Sequence, residues 1–149
     1  MIPLKITKEE INELPLGQFE GEIFLIEVLE DVQEVADFLS QHRVIGFDTE
    51  TKPAFKKGVT NQVSLLQLST SAQAFLFRTH KSGFPDAIRA FLEKEHIIKV
   101  GAAVHDDIKV LAKLTESFCP NSFFDLNDEL KKMGFENVGV RNLCGMVLN

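Results

Sequence analysis

The sequence predicts a single α/β domain, in which helices pack on a β-sheet. Apolar runs of strand length alternate along the chain with segments whose apolar residues recur at helical spacing. The 149 residues are enough to bury one core, and a composition of 44% hydrophobic and 26% charged residues is typical of a globular chain. No repeat, low-complexity segment or linker interrupts the sequence, so one domain over residues 1–149 is expected.

The first predicted element is a short helix. Thr7 and Glu10 form a capping box at its start, and Pro15 and Gly17 end the helical pattern. An apolar run at residues 23–26 then predicts the first strand. The chain therefore enters the sheet after an N-terminal helix.

The next segment predicts a helix, a strand and a loop. Asp31 provides an N-cap for a helix at residues 32–39, where apolar residues recur at helical spacing. Residues 44–48 predict the second strand. The loop at residues 52–60 contains proline, glycine and lysines, so it cannot be regular throughout.

The rest of the chain begins with a predicted hairpin. Its two strands, residues 63–68 and 74–77, are joined by small and polar residues. Beyond it, strands and helices alternate, and proline or aspartate marks several helix starts. The remaining predicted elements are a helix from Pro85, a strand at 97–101, a helix at 107–114, a strand at 122–124, a helix from Asp125 through Met133 and a last helix from Arg141.

The charges are unevenly distributed along the chain. The net charge of −6 does not indicate nucleic-acid binding. Residues 1–50 carry 3 Lys and Arg against 12 Asp and Glu, residues 51–113 carry 10 against 5, and residues 114–149 carry 3 against 5. The basic middle segment would attract a polyanion, and a solvated loop explains the same charges equally well.

The sequence shows no membrane or secretory signal. No apolar run reaches membrane-spanning length and no signal-peptide pattern opens the chain, so no membrane partner is expected. Cys119 and Cys144 form neither a CxxC pair nor a zinc pattern, and they indicate reduced thiols. A reducing compartment, and hence a cytoplasmic location, is expected.

Two acidic residues, Asp48 and Glu50, follow the second predicted strand. On a regular strand they point to the same face, with Cα atoms about 6.5 Å apart, while Thr49 points to the other face. Two unit charges at about 7 Å repel by roughly 2.4 kcal/mol at an effective dielectric of about 20, so a cation between them is favoured. Carboxylate oxygens suit Mg²⁺ or Mn²⁺. Taken alone, the triplet is also typical of an aspartate that caps a turn beside a solvated glutamate.

A second acidic pair, Asp106 and Asp107, follows the small residues at 101–103. Small residues allow backbones to approach closely. Capping alone also selects an aspartate at a helix N-terminus, so this pair has a structural explanation as well.

In open α/β sheets, sites form at the carboxyl ends of strands, which is where Asp48 and Glu50 fall.

The two acidic stretches together resemble a known family. Residues 46–53, Gly-Phe-Asp-Thr-Glu-Thr-Lys-Pro, followed by 61–68, Asn-Gln-Val-Ser-Leu-Leu-Gln-Leu, are similar to the first motif and the following hairpin of DEDD-type 3′–5′ exonucleases. The branch is that of ribonuclease D and the Werner-syndrome exonuclease domain. Residues 99–107 resemble the second motif, and alignment on Gly101 places its acidic ligand on Asp107.

The resemblance implies a ribonuclease-H-like mixed sheet flanked by helices. It implies hydrolysis of DNA or RNA phosphodiester bonds from the 3′ end with two divalent ions, Mg²⁺ or Mn²⁺, that stabilise the attacking and leaving oxygens. Asp48 would bridge both ions, Glu50 would bind the ion that holds the attacking water, and Asp107 would position the second ion. The implied partner is single-stranded or 3′-ended nucleic acid.

Five residues near these ligands are candidates for binding nucleic acid. The lysines would contact phosphates, the phenylalanine would stack on a terminal base, and the threonine backbone would reach a terminal ribose. Solvated loop charges and an ordinary loop aromatic explain the same residues equally well. The candidates are Thr49, Lys52, Phe55, Lys56 and Lys57.

The sequence departs from the family at its third motif. That motif is a Tyr-x-x-x-Asp, or a His-x-x-x-x-Asp in a sister branch, on a late helix. The chain contains no tyrosine, and no histidine is followed by an aspartate five residues later. A chain truncated before this motif is therefore expected, and a natural variant that lacks the motif is the alternative. Asp125 is a conceivable fourth carboxylate, although a helix N-cap is the role that its position favours.

Two functions stay open at this point. The first is a metal-dependent 3′–5′ exonuclease that uses Asp48, Glu50 and Asp107, and that is weak or inactive as a truncated chain. The second is a catalytically inactive nucleic-acid-binding or scaffolding module of the same fold. Another ribonuclease-H-like nuclease would differ from the first in whether mononucleotides leave the 3′ end.

Overall fold

The computed structural model describes residues 2–51 and 62–148 of the chain. Its strands are β1 (Glu22–Ile26), β2 (Val44–Thr51), β3 (Val63–Ser69), β4 (Gln73–Phe77), β5 (Ile98–Gly101) and β6 (Phe123–Asp125). Its helices are α1 (Lys8–Glu13), α2 (Val32–Leu39), α3 (Thr79–Ser82), α4 (Asp86–Leu92), α5 (Val104–Leu111), α6 (Leu126–Lys132) and α7 (Val140–Val147).

The strands form one six-stranded sheet in the order β1-β4-β3-β2-β5-β6. The strand β3 is antiparallel to both β2 and β4, which confirms the predicted hairpin. The pairs β1–β4, β2–β5 and β5–β6 are parallel. The sheet is therefore mixed, as the resemblance implies, and β2 lies where its antiparallel and parallel parts meet.

One face of the sheet is buried under α2, α4 and α5. Ile45 and Phe47 of β2 point into this core, and the next residue on that face is Thr49. Leu39 of α2 and Leu92 of α4 are completely buried against them. The alternation of side chains along β2 thus fixes which residues remain for the opposite face.

The core also contains the amine of Lys99, which is fully buried on β5. Its Nζ donates hydrogen bonds to the carbonyl oxygens of Lys94 at 2.7 Å and Ile97 at 2.8 Å, and it lies 5.2 Å from the ring centroid of Phe123. Burial lowers the pKa of Lys99 to about 8. This lysine stabilises the turn before β5 and points away from the acidic residues of β2.

The opposite face of the sheet exposes large apolar side chains. Ile23 and Leu25 of β1 are 61% and 55% exposed, and the paired residues Val44 and Ile98 are 55% and 42% exposed. The register of β2 with β3 places Asp48 on this same face. The acidic end of β2 therefore borders an accessible apolar surface.

A smaller cluster joins the N-terminal helix to the end of the chain. Val138, Leu143 and Met146 are buried in it, with Ile6 packed alongside. A Cβ at Gly145 would lie 3.2 Å from side-chain atoms of Ile6 and of Leu14, so the small residue allows α7 to approach the N-terminal segment.

Several predicted elements differ from the structure at their ends. The capping box is confirmed, since Thr7 Oγ1 accepts from the Glu10 N–H at 3.2 Å. Asp31 is the N-cap residue of α2, as predicted, but its side chain makes no capping hydrogen bond. The helix predicted from residue 107 begins three residues earlier, at Val104, because Ala103 adopts a left-handed N-cap conformation with φ of 60°.

The helix α3 has no counterpart among the predicted elements. It has only four residues, too few for a helical repeat of apolar positions to be recognised. Within residues 2–51 and 62–148, no helix has the length and apolarity needed to span a bilayer.

Candidate active site

The strand β2 presents its two acidic residues at its carboxyl end. Ile45 and Phe47 are buried on the core face, whereas Asp48 and Glu50 are exposed on the other. Pairing with β5 ends at Gly46, so the β5 side of β2 is open beyond that residue. Both carboxylates therefore lie at the point where the two parallel strands separate.

Close backbone approach brings the start of α5 to this point. A Cβ on Gly101 would lie 2.4 Å from the carbonyl oxygen of Phe47 and 2.6 Å from Cγ1 of Val104. Those distances are shorter than any side chain tolerates, and so only glycine fits. The small residues predicted to allow close approach do so at Gly101.

The helix α5 directs its two aspartates to different surroundings. Asp107 accepts a hydrogen bond from Thr49 Oγ1 at 2.5 Å. Asp106 instead pairs with Lys109 on the exposed side of the helix, at 2.9 Å. The contact with β2 therefore supports Asp107, rather than Asp106, as the acidic residue of this stretch that belongs to the site.

Thr49 thus has a contact that the alternation rule did not reveal. It lies on the face opposite Asp48 and Glu50, as predicted, and there its hydroxyl meets the first turn of α5. The hydroxyl is engaged with Asp107. The prediction that the Thr49 backbone binds a terminal ribose stays a prediction.

The three carboxylates influence one another electrostatically. Partial exclusion of water raises the pKa of Asp48, and repulsion from Asp107 and Glu50 raises it further. The pKa of Asp107 is also raised, mainly by partial burial and then by repulsion from Asp106 and Glu50, although the Thr49 hydrogen bond opposes the shift. Among the described residues, none of the three takes part in an ion pair.

The chemistry of this set fits divalent cations. Partial burial and repulsion from neighbouring carboxylates raise the pKa values of Asp48 and Asp107, so a positive charge beside them would lower their energy. Their oxygens, and those of Glu50, are ligands that Mg²⁺ and Mn²⁺ prefer. In the part of the chain that the structure describes, their oxygens are not all within 4.8 Å of one another. The three carboxylates therefore do not converge on one point in this structure.

Asp125 has the capping role that its position favours. Its Oδ1 accepts from the N–H of Asn127 at 2.9 Å, at the start of α6, and from the N–H of Ala103 at 3.1 Å. Its side chain is directed toward His105. Asp125 is therefore a structural residue between β6 and two helices, and the alternative of a fourth carboxylate beside Asp48 gains no support.

The remaining nucleic-acid candidates lie outside the described residues. They are Lys52, Phe55, Lys56 and Lys57.

The fold and the site define a ribonuclease-H-like nuclease domain: a mixed sheet whose central strand carries two carboxylates, with a third on the helix after the neighbouring strand. The chain belongs to a 3′–5′ exonuclease family, since the sequence profile of that family matches residues 23–149.

Comparison with individual proteins supports the same family. The chain is 30% identical to the bifunctional 3′–5′ exonuclease/ATP-dependent helicase WRN of Mus musculus over 102 aligned residues. The aligned segment covers 64% of this chain and 7% of WRN. The chain therefore spans a small part of that relative.

Two solved structures illustrate the shared fold. Ribonuclease D of Trypanosoma brucei in complex with RNA U12 matches with a TM-score of 0.63 and 20% identity, covering 79% of this chain and 39% of that one. The EXD2 exonuclease domain soaked in Mg and GMP matches with a TM-score of 0.64 and 21% identity, covering 87% of this chain and 71% of that one.

Proposed function

We propose that this chain is a metal-dependent 3′–5′ exonuclease domain that hydrolyses phosphodiester bonds of single-stranded or 3′-ended DNA or RNA. The observation that carries the proposal is the approach of Asp107 to the strand that bears Asp48 and Glu50. The Thr49 hydrogen bond and the raised pKa values of both aspartates support this approach.

The proposed roles follow from where each side chain lies. Asp48 and Glu50 hold divalent ions, Mg²⁺ or Mn²⁺, from the rigid end of β2, and Asp107 completes the ligand set from α5. Thr49 orients the Asp107 carboxylate through its hydroxyl. Bound divalent ions supply positive charge for the attacking and leaving oxygens of an in-line displacement. Two structures of similar fold, ribonuclease D in complex with RNA U12 and the EXD2 exonuclease domain soaked in Mg and GMP, are in keeping with this chemistry.

The test is release of nucleotides from single-stranded DNA and RNA labelled at the 5′ or the 3′ end, in Mn²⁺. Glu50→Gln removes one ligand charge at nearly constant shape, and we expect it to lower the rate by about a hundredfold or more, equivalent to about 2.7 kcal/mol of barrier. Asp106→Asn is the matched control, because Asp106 lies on the same turn as Asp107 but faces Lys109. Its rate should stay near wild type.

The pattern of products decides the direction of attack. Mononucleotides from a 3′ label together with a descending ladder from a 5′ label support a 3′–5′ exonuclease. Internal cuts in a substrate with blocked ends would instead assign another ribonuclease-H-like nuclease. Equal rates for the wild type and Glu50→Gln would contradict the proposed site.

A second function keeps one specific observation in its favour. The chain contains no tyrosine, so the Tyr-x-x-x-Asp motif of its family is absent from these 149 residues. A binding module of the same fold would retain 3′-ended strands without releasing nucleotides. Binding without turnover, weakened by Glu50→Gln, would select this alternative.

A further inference from the structure

Three potential metal ligands converge away from the candidate active site. His105 lies in the first turn of α5, Asp125 ends β6, and Asp128 lies in the first turn of α6. His105 Nε2 is 3.1 Å from Asp128 Oδ2 and 4.0 Å from Asp125 Oδ2. One donor atom from each lies within 4.8 Å of the others. The group depends on the tertiary fold, since each member comes from a different element.

The buried member of this group has a carboxylate oxygen without a hydrogen-bond donor. The Asp125 side chain is 6% exposed, and its Oδ1 is occupied by the N–H groups of Ala103 and Asn127. Among residues 2–51 and 62–148, no donor lies within hydrogen-bond distance of Oδ2, which faces His105 Nε2 at 4.0 Å. The Asp125 side chain as a whole is buried, and a carboxylate held in such surroundings is stabilised by a positively charged or donating partner at its second oxygen. This oxygen is thus aimed at the space between the three side chains.

We propose that His105, Asp125 and Asp128 bind a divalent transition-metal ion, with Zn²⁺ as the representative ion. At bond lengths of about 2.0–2.2 Å, two ligand atoms of a tetrahedral ion are about 3.3–3.6 Å apart. The observed separations of 3.1 and 4.0 Å bracket that spacing. His105 and Asp128 are 68% and 49% exposed, so their side chains are free to adjust around the fixed Asp125.

The ligand types select the class of ion. An imidazole with two carboxylates suits Zn²⁺ and similar transition metals, whereas Mg²⁺ and Ca²⁺ prefer oxygen ligands alone. Three protein ligands leave a further position for water on the exposed side.

This site is separate from the carboxylates of β2. His105 and Asp107 are two residues apart on α5, so their side chains diverge by about 200° around the helix axis. Asp107 meets Thr49 of β2, while His105 meets α6. A metal ion at His105 would join α5 to α6 and would brace the turn that carries Asp107.

The test is a titration of Zn²⁺ followed by NMR of the imidazole rings, without nucleic acid. The chain carries Glu50→Gln to weaken binding of Zn²⁺ at the proposed catalytic carboxylates. The ring signals of His105 are expected to change until one equivalent is bound. The signals of His96, an exposed histidine elsewhere, should not change.

Two variants on this background make the result specific. Asp128→Asn should weaken the Zn²⁺ affinity read at His105 by at least about tenfold, since even residues behind a metal ligand contribute tenfold or more. Asp106→Asn, next to His105 but paired with Lys109, should leave that affinity unchanged. Unchanged His105 signals at excess Zn²⁺, or equal affinities in the two variants, would overturn the metal site and leave a His105–Asp128 ion pair. Neither result depends on nuclease activity.

Discussion

At the scale of single residues, the carboxylates of Asp48, Glu50 and Asp107 in the candidate site repel one another. Asp48 ionises less readily than an ordinary aspartate because water is partly excluded from it and because Asp107 and Glu50 lie nearby. A folded-state pKa above the unfolded value means that ionisation opposes folding. The free energy of unfolding of the metal-free chain therefore falls as pH rises through the unfolded and then the folded pKa of Asp48.

Asp48→Asn is accordingly expected to stabilise the chain at pH 7 in the presence of a chelator. The gain should shrink as pH falls toward 4, where the carboxyl group of the wild type becomes protonated. Urea unfolding at both pH values measures it. Asp106→Asn is the control, and it should lower the free energy of unfolding instead of raising it. Lys109 lowers the pKa of Asp106, so that carboxylate favours folding when it is ionised. A loss of stability in Asp48→Asn at pH 7 would contradict the repulsion.

Thr49→Val tests the contact between β2 and α5. The substitution keeps the shape of the side chain but leaves the Asp107 carboxylate without its hydroxyl donor. Hydrogen bonds to charged groups contribute about 1.5–3 kcal/mol, and partial exposure of Thr49 places the expected loss of stability near the lower value. Thr49→Ser should recover most of it. Equal urea midpoints for the Val and Ser variants would show that the hydroxyl contributes nothing.

At the scale of elements, the site depends on how closely the end of β5 approaches β2. The Gly101 backbone lies against the Phe47 carbonyl, and a backbone atom cannot move aside as a flexible side chain can. Gly101→Ala is therefore expected to destabilise the fold by about 2–3 kcal/mol, in the upper part of the range of about 1–3 kcal/mol for overpacking, because the clash is with backbone. It should also displace Asp107 and lower any nuclease activity.

Gly139→Ala is the matched control for that substitution. A Cβ on Gly139 would meet no atom within 4 Å, and its φ of −62° suits any residue. Because Gly139 is the N-cap of α7, where alanine is less favourable than glycine, we expect a loss of stability of no more than about 1 kcal/mol. Thermal or urea unfolding of both variants checks the pair, and similar destabilisation of the two would argue against the close approach.

Several elements were predictable because their signals are local. The capping box of Thr7 and Glu10 fixes the start of α1, and alternation along β2 separates Ile45 and Phe47 from Asp48. The start of α5 was not predictable from local sequence. It follows Ala103, which has a left-handed conformation and whose N–H donates a hydrogen bond to the Asp125 carboxylate from another part of the chain. Contacts of that kind have no local pattern.

The candidate site likewise combines features that local sequence predicts with contacts that only the fold reveals. The pairing of Asp48 with Glu50 on one face follows from the two-residue period of a strand. The choice of Asp107 over Asp106 rested on the resemblance, and the structure adds the Thr49 contact that local sequence could not reveal. The group of His105, Asp125 and Asp128 stayed hidden because His105 lies about twenty residues before the two aspartates and meets them only through the packing of α5 on β6 and α6.

At the scale of the whole molecule, the acidic net charge bears on substrate binding. A chain of net charge −6 repels a polyanion, and the carboxylates of the site add to that repulsion. We expect Mn²⁺ at constant ionic strength to raise the affinity for a 3′-ended oligonucleotide with an uncleavable last linkage by at least about tenfold, or about 1.4 kcal/mol.

Fluorescence anisotropy with and without chelator measures this effect. Asp48→Asn should bind with little response to Mn²⁺, while Asp106→Asn should respond as the wild type does. An affinity that rises with Mn²⁺ equally in all three would place the metal effect elsewhere on the chain.

The order of the strands in the sheet also determines which strands can pair first while the chain is being synthesised. Among the six described strands, the edge strand β1 pairs with β4 alone, so the backbone groups of β1 find these partners after residue 77 has left the ribosome. The β3–β4 hairpin closes over a few residues and is expected to form first, because short loops close at lower entropic cost. Until then, Ile23 and Leu25 lie on an unpaired apolar strand, which is the kind of segment that chaperones of nascent chains cover.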